Sequence, residues 1–475
     1  MKKIKFVKNP LFIILLVAFV IRMLVLCVFP DSFYNTARLL THMSIANNIV
    51  SKKIIAIDDK FVLNAGRFIN KQNRTVEFNV LQQKFSSGTL NYSPDITDTW
   101  GMAYITAFFW WITNSRSYIP IQIFQIIIDS FSIYALFSIV KFLFKNQKIG
   151  YVASIFYSIF PPLLFLSTTL NRDIYATWGI LWSTYFFLSW IERNGQSKWR
   201  IIIAGLILCI TLWMRSTIMF IPLLWVTYYL MTEKLTKITL KTSLFICILI
   251  FSLEFVFFVL PFSLQFHNKY NLYNFSSGLN GGVFWTGLGE FSKKYHFVCN
   301  DDSAMSRAVQ LGYPKDGTLY TPEFSRLLKE DAMKIVVNDP FFLVEVIIKR
   351  YSYFFFARPP FGVSERSNIH FARMNLSIGD FIRQYPLEAI ELVAKAFIAV
   401  LLPICSLLLL WYRRKDWKPI LFLLLLWQYP LIVHLPTHLE NRYVVPHMFA
   451  LIIATSCFGY YLYRKIVYKI PINQD

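Results

Sequence analysis

The chain has 475 residues, of which 56% are hydrophobic and 18% aromatic, while only 16% are charged. A soluble domain carries about 25% charge, so this composition excludes an ordinary soluble protein. The net charge of +21 sits in short runs between apolar stretches near the roughly 20 residues that span a bilayer, which points to a polytopic membrane protein with basic cytoplasmic turns rather than to a nucleic-acid binder.

The first apolar run, 11–29, contains one charge, Arg22. Lysines precede it and no small-residue cleavage site follows, so it reads as a retained first helix. Arg22 lies roughly 12 Å below Pro30 at 1.5 Å per residue, where an arginine needs a partner. Asp129 and Glu254, both inside later apolar runs, are candidates for that structural role. Asp31, just beyond Pro30, suits either a base at the membrane surface or the N-cap of a helix beginning near Phe33.

A long loop follows, 30–116. At its start Phe33, Ala37, Leu40 and Met43 share one helical face. Its end, 100–113, is apolar and aromatic but short. A crossing there would put Lys145, Lys148 and Arg200 on the wrong side, so it reads as an interfacial helix, with Trp100, Trp110 and Trp111 at the lipid headgroups.

Placing every Lys/Arg run in the cytoplasm gives about ten transmembrane helices (range 9–12), at 11–29, 117–144, 149–169, 174–191, 201–215, 217–232, 242–263, 388–411, 419–435 and 445–463. Both termini are then cytoplasmic and two large loops, 30–116 and 264–387, face outward. The chain thus divides into an N-terminal transmembrane catalytic module, 1–263, a second extracytoplasmic loop domain, 264–387, and C-terminal transmembrane helices, 388–475. The expected fold is an all-α polytopic membrane protein whose outer loops carry interfacial helices.

Polar residues punctuate the junctions. Arg172-Asp173 follows Pro161-Pro162 and Ser167-Thr168-Thr169; it is either an ordinary polar turn or a site facing a cavity. Arg215 breaks the apolar pair 201–215 and 217–232, and Arg442 lies in His438-Leu439-Glu440-Asn441-Arg442-Tyr443. Arginine forks bind phosphate, but interfacial snorkelling suits any one of them equally.

In the second loop, 276–282 reads as a flexible Gly/Ser-rich turn. Thr321-Pro322 opens a helix with Phe324, Leu327, Leu328, Ala332 and Ile335 on one face, stopped by Asp339-Pro340. The apolar stretch 341–356, with Glu345, Lys349 and Arg350 inside it, suits an interfacial helix. Five of the six cysteines lie in apolar segments and only Cys299 in a long loop, so no disulfide framework is implied. The seven histidines show no tight metal-ligand spacing.

These landmarks, in order, resemble the GT-C superfamily of integral-membrane glycosyltransferases, and most nearly the bacterial relatives of protein O-mannosyltransferases and the lipid A aminoarabinose transferase. The match runs through Asp31, Tyr34 and Ala37 after the first helix, then Pro94 to Tyr104. It continues with Pro161, Pro162, Arg172 and Asp173, Arg215-Ser216, Gly287 to Glu290, Pro322-Glu323, and Glu440, Arg442, Tyr443 and Pro446. The chain departs from the family where Ser32 replaces the second of two adjacent acids found in many members.

The resemblance implies an inverting transfer from a polyprenyl-phosphate sugar to a lipid, glycan or protein acceptor, in a bacterial inner or plasma membrane with the active site outward. Asp31 and Asp173 would be the catalytic acids. Tyr34, Arg172, Arg215, Glu440, Arg442 and Tyr443 would bind substrate, and a divalent cation, magnesium or manganese, would sit on Asp173. No nucleic-acid partner is expected. The competing readings are a surface-polysaccharide polymerase or ligase and, from another class, a lipid or solute transporter. The transporter reading lacks the internal repeats such folds show.

Overall fold

A computed structural model describes residues 10–28, 45–51, 57–58, 69–70, 75–76, 92–93, 100–233, 236–273, 280–291, 294–315, 321–355, 377–435, 437–438 and 440–468. Among these the protein is almost wholly helical. The exceptions are two antiparallel pairs of two-residue strands, Ile57–Asp58 with Tyr92–Ser93 and Ile69–Asn70 with Thr75–Val76. Each of the ten apolar runs overlaps a helix, though 201–215 leaves the α-helix after Leu212 and 149–169 is broken at Phe160. Among the described residues six helices are long and apolar enough to cross a membrane, or seven if one bent pair is a single span.

Helix α1 (Pro10–Val28) and α2 (Gly101–Thr113) precede the core of the bundle. Helix α3 (Ile119–Phe144) is followed by a pair bent by 55°, α4 (Gln147–Ile159) and α5 (Pro161–Thr168). The bend has a local cause. Pro161 forces Phe160 into an extended conformation and removes an amide donor. The carbonyls of Thr168 and Thr169 at the far end of α5 accept 2.6 Å hydrogen bonds from the Gln122 and Gln125 side chains of α3. Two buried glutamines thus replace the hydrogen bonds that a helix terminus lacks.

Helix α6 (Arg172–Ile191) packs between α3 and α7 (Lys198–Leu212). Helix α8 (Ile221–Thr232) leads to α9 (Lys237–Glu254), which runs through a π-turn at Phe255–Val259 into α10 (Leu260–Tyr270). The π-turn follows from Pro261, which cannot donate to the carbonyl of Phe257. The Trp213 indole donates to that carbonyl instead, at 2.9 Å.

A second group of helices has its own hydrophobic cluster, built from Trp285, Leu288, Phe297, Phe324, Leu328, Phe342 and their neighbours. It comprises α11 (Asn280–Leu288), α12 (Asp301–Gln310), α13 (Pro322–Asn338) and α14 (Pro340–Phe355). Thr321 caps α13 through the Phe324 amide, and the predicted face is the buried one. Of the expected flexible turn at 276–282, residues 276–279 lie outside the described residues and the remainder is corrected, because Asn280, Gly281 and Gly282 lie in α11. A Cβ on Gly281 would come within 1.8 Å of the Ser325 carbonyl, so glycine lets α11 lie directly on α13. Helix α15 (Ile378–Gln384), α16 (Pro386–Tyr412), α17 (Trp417–His434) and α18 (Met448–Tyr468) complete the chain.

Two further expectations change. Of the three tryptophans assigned to the lipid interface, Trp100 and Trp110 are buried in protein and only Trp111 is exposed. The Gly101 amide donates to the Trp213 carbonyl at 2.8 Å, which ties α2 to the end of α7. Arg22 pairs with Asp129 at 2.6 Å, and Tyr157 donates to the same carboxylate at 2.7 Å. Glu254 plays no part in that pairing, and its two buried oxygens have no hydrogen-bond partner among the described residues.

Candidate active site

The N-terminus of α6, the end of α7, the end of α17 and the 3-10 turn Asn441–His447 meet at one end of the bundle. Asn171 caps α6 by accepting from the Asp173 amide at 2.8 Å. Asp173 therefore sits in the first turn, where the helix dipole favours a carboxylate. Its Oδ1 accepts from Arg215, and both side chains are nearly fully buried. Its Oδ2 is buried with no hydrogen-bond partner among the described residues.

Arg215 reaches Asp173 because the chain stops being α-helical after Leu212; Arg215 itself is extended. Its guanidinium lies 4.5 Å from the centre of the Tyr443 ring. Arg442 approaches the same ring at 5.7 Å and is gripped by Glu440 at 2.5 and 2.8 Å. Tyr443 donates to Glu440 at 3.2 Å, and His434 stacks on the Tyr443 ring at 4.3 Å. The result is an aromatic ring flanked by two arginines, each backed by one carboxylate.

Beside this group, Glu440 continues into a second polar network. His438 Nε2 is 3.5 Å from Glu440, and its Nδ1 is 2.5 Å from Glu290 Oε1. Arg350, fully buried in α14, donates to Glu290 Oε2 at 2.8 Å, to the Gly287 carbonyl at 2.5 Å and to the Leu435 carbonyl. Gly287 is where the second helical group touches this loop. A Cβ there would meet the Thr437 carbonyl at 1.6 Å. Burial opposes a charge on His438, but hydrogen bonds with Cys299, Glu290 and Glu440 outweigh it and push its pKa up to about 12.

The structure thus brings together five predicted site residues: Asp173, Arg215, Glu440, Arg442 and Tyr443. Arg172 adjoins them as the first residue of α6. Asp31 and Tyr34 lie outside the described residues. Glu290, Arg350, His434 and His438 were not singled out as site residues in the sequence. Among the described residues, Glu290, Cys299 and His438 are where three metal-ligating side chains converge, and Asp173 is not one of them.

Residues 98–262 match the family model for dolichyl-phosphate-mannose-protein mannosyltransferase. No curated protein matches the chain in sequence. Among solved structures, the apo oligosaccharyltransferase of Archaeoglobus fulgidus superimposes with a TM-score of 0.51 at 13% identity, covering 98% of this chain and 52% of that one. The same enzyme in complex with Zn and sulfate gives a TM-score of 0.51 at 12% identity, covering 97% and 50%. The chain resembles the GT-C superfamily in sequence and in fold. The GT-C match includes α2 through α9 and so contains Asp173 and Arg215, while Glu440, Arg442 and Tyr443 lie beyond the family-model region. The chain spans about half the length of the GT-C structures it matches.

Proposed function

We propose that the protein is an inverting glycosyltransferase that moves a sugar from a polyprenyl-phosphate donor to a lipid, glycan or protein acceptor on the outer face of the membrane. The observation that carries this reading is the convergence of Arg215 and Arg442 on the Tyr443 ring, each arginine held by a carboxylate.

The reaction places a specific demand on such a group. The acceptor hydroxyl loses its proton to a carboxylate and its oxygen attacks the anomeric carbon opposite the phosphate. The bond from that carbon to the phosphate oxygen breaks, and its electron pair leaves with the lipid phosphate. The phosphate passes from one negative charge to two. Guanidinium groups fixed in advance, away from bulk water, favour that change over the ground state. Asp173 and Glu440 orient the two guanidiniums and keep them charged before the donor arrives.

Asp31 is proposed as the group that accepts the acceptor proton, and Tyr34 and Arg172 as substrate contacts. A divalent cation would sit on Asp173 Oδ2, the buried oxygen that Arg215 leaves without a partner, and would add positive charge near the phosphate. The family description, dolichyl-phosphate-mannose-protein mannosyltransferase, and the carrier chemistry agree, since activated sugar outside the cytoplasm must arrive on a lipid.

The test is transfer of radiolabelled sugar from a polyprenyl-phosphate sugar by the full chain in proteoliposomes. Asp31→Asn should remove it and Arg215→Ala should lower it by about 10²–10³, each measured on protein that elutes as the wild type does. Wild-type rates in both variants would overturn the reading.

A further inference from the structure

We propose that Glu290, Cys299 and His438 bind a soft divalent cation of the zinc class, and that this ion fastens the second helical group to the loop leading into α18. One ligand atom from each residue lies within 4.8 Å of the others. His438 Nδ1 is 2.5 Å from Glu290 Oε1 and 4.0 Å from Cys299 Sγ. Tetrahedral zinc, with bonds of about 2.0–2.3 Å, sets its ligand atoms roughly 3.3–3.8 Å apart. Shifts on the order of an ångström therefore seat one ion, which takes the place of the proton His438 Nδ1 shares with Glu290 and of the Cys299 thiol proton, both released to water, and leaves a fourth position for water. A thiolate and an imidazole select zinc-class ions over magnesium or manganese, whose preferred ligands are oxygens.

Two features show a prepared ligand set. Glu290 is held by its other oxygen, Oε2, on the fully buried Arg350, which leaves Oε1 turned towards His438. His438 in turn presents Nε2 to Glu440 at 3.5 Å. A carboxylate behind the far nitrogen is the arrangement that fixes the tautomer and ring orientation of metal-bound histidines.

The site has a structural consequence. Glu290 and Cys299 belong to the second helical group, whereas His438 lies two residues before Glu440. Glu440 grips Arg442 and accepts from Tyr443. An ion here sets the position of that carboxylate without touching substrate. It is separate from a cation at Asp173 and does not depend on the glycosyltransferase reading.

Cobalt reports on the site directly, because a thiolate ligand gives it a near-ultraviolet charge-transfer band. Purified full-length protein should bind about one cobalt per chain with that band, and zinc should displace it. Cys299→Ser should lose the band and His438→Ala should lose the metal. Glu440→Gln should weaken binding on the order of 10- to 100-fold. Zinc should also protect Cys299 from alkylation in a Cys27→Ser background. Cys299 is exposed, so its serine variant should elute as the wild type does. Wild-type protein that binds no cobalt, or metal content and spectrum unchanged in Cys299→Ser, would overturn the site.

Discussion

Arg215 lies over the Tyr443 ring, its guanidinium carbon 4.5 Å from the ring centre, while the same group pairs with the buried Asp173. A lysine could keep the charge but not place it over the ring while donating to both Asp173 and Thr217. Arg215→Lys should therefore lower kcat strongly, and Arg215→Ala should lower it by about 10²–10³, as losing one preorganised charge donor does. Steady-state transfer with varied donor separates the cases. An effect confined to KM would mean that Arg215 binds the donor without favouring the leaving phosphate.

The Arg22–Asp129 pair makes a contrasting prediction, because both side chains are buried and Tyr157 completes the group. Asp129→Ala strands a cation inside the bundle and should cost about 3–5 kcal/mol. Replacing both partners together, Arg22→Leu with Asp129→Leu, should recover most of that loss. Thermal melts of the detergent-solubilised variants read the difference. A double variant no better than the single one would give the pair a role beyond neutralising a buried charge.

The sequence placed these two arginines differently for a physical reason. Hydropathy is one-dimensional: it exposes Arg22, Asp173, Arg215 and Arg442 as costly interruptions, and it locates the helices that carry them. Choice of partner is three-dimensional. Asp129 and Glu254 looked alike in sequence, yet only Asp129 faces Arg22. Glu290 and Cys299 are close in sequence, but His438 lies 139 residues beyond Cys299, so no spacing announces the three together. Gly281 and Gly282 read as a turn because the same freedom that suits a turn also lets two helices touch. Thr321 was legible because a cap and its amide partner are three residues apart.

Gly287 tests how the two helical groups are joined. A methyl group there would meet the Thr437 carbonyl at 1.6 Å and crowd the Arg350 guanidinium at 3.1 Å. Gly287→Ala should part α11 from the loop after α17, at a cost of about 1–3 kcal/mol or more. Hydrogen exchange should quicken in 280–288 and 434–438 and stay unchanged in α6. Equal protection in the variant would show that the contact does not hold the two groups together.

Asp331 predicts how the second helical group responds to acid. Burial opposes its charge, but hydrogen bonds from Arg307, His296 and Trp285 prevail and hold its pKa down at about 2. A folded-state pKa below the unfolded value of about 3.9 means the stabilisation is present above that value and disappears as the pH falls towards 2. Protection of α13 against hydrogen exchange should drop across that window in the wild type. In Asp331→Asn it should be lower at neutral pH and flatter across the window; an identical wild-type and variant profile would remove Asp331 from the transition.

Helix α6 sets the final prediction, on which face the site occupies. It has 20 residues, so its ends lie roughly 30 Å apart, about a bilayer core. Asp173 stands at one end, and Glu192, paired with Lys145 of the preceding helices, at the other. Lys148, Arg193, Lys198 and Arg200 gather at that second end, in the turns around Asn146 and Gly195. Basic turns stay in the cytoplasm, so the prediction is that Asp173, Arg215 and the second helical group face outward. A Ser303→Cys variant in a chain lacking its own cysteines should react with an impermeant maleimide added to intact cells. Reaction only after the cells are opened would invert the arrangement and deny the site its lipid-carried donor.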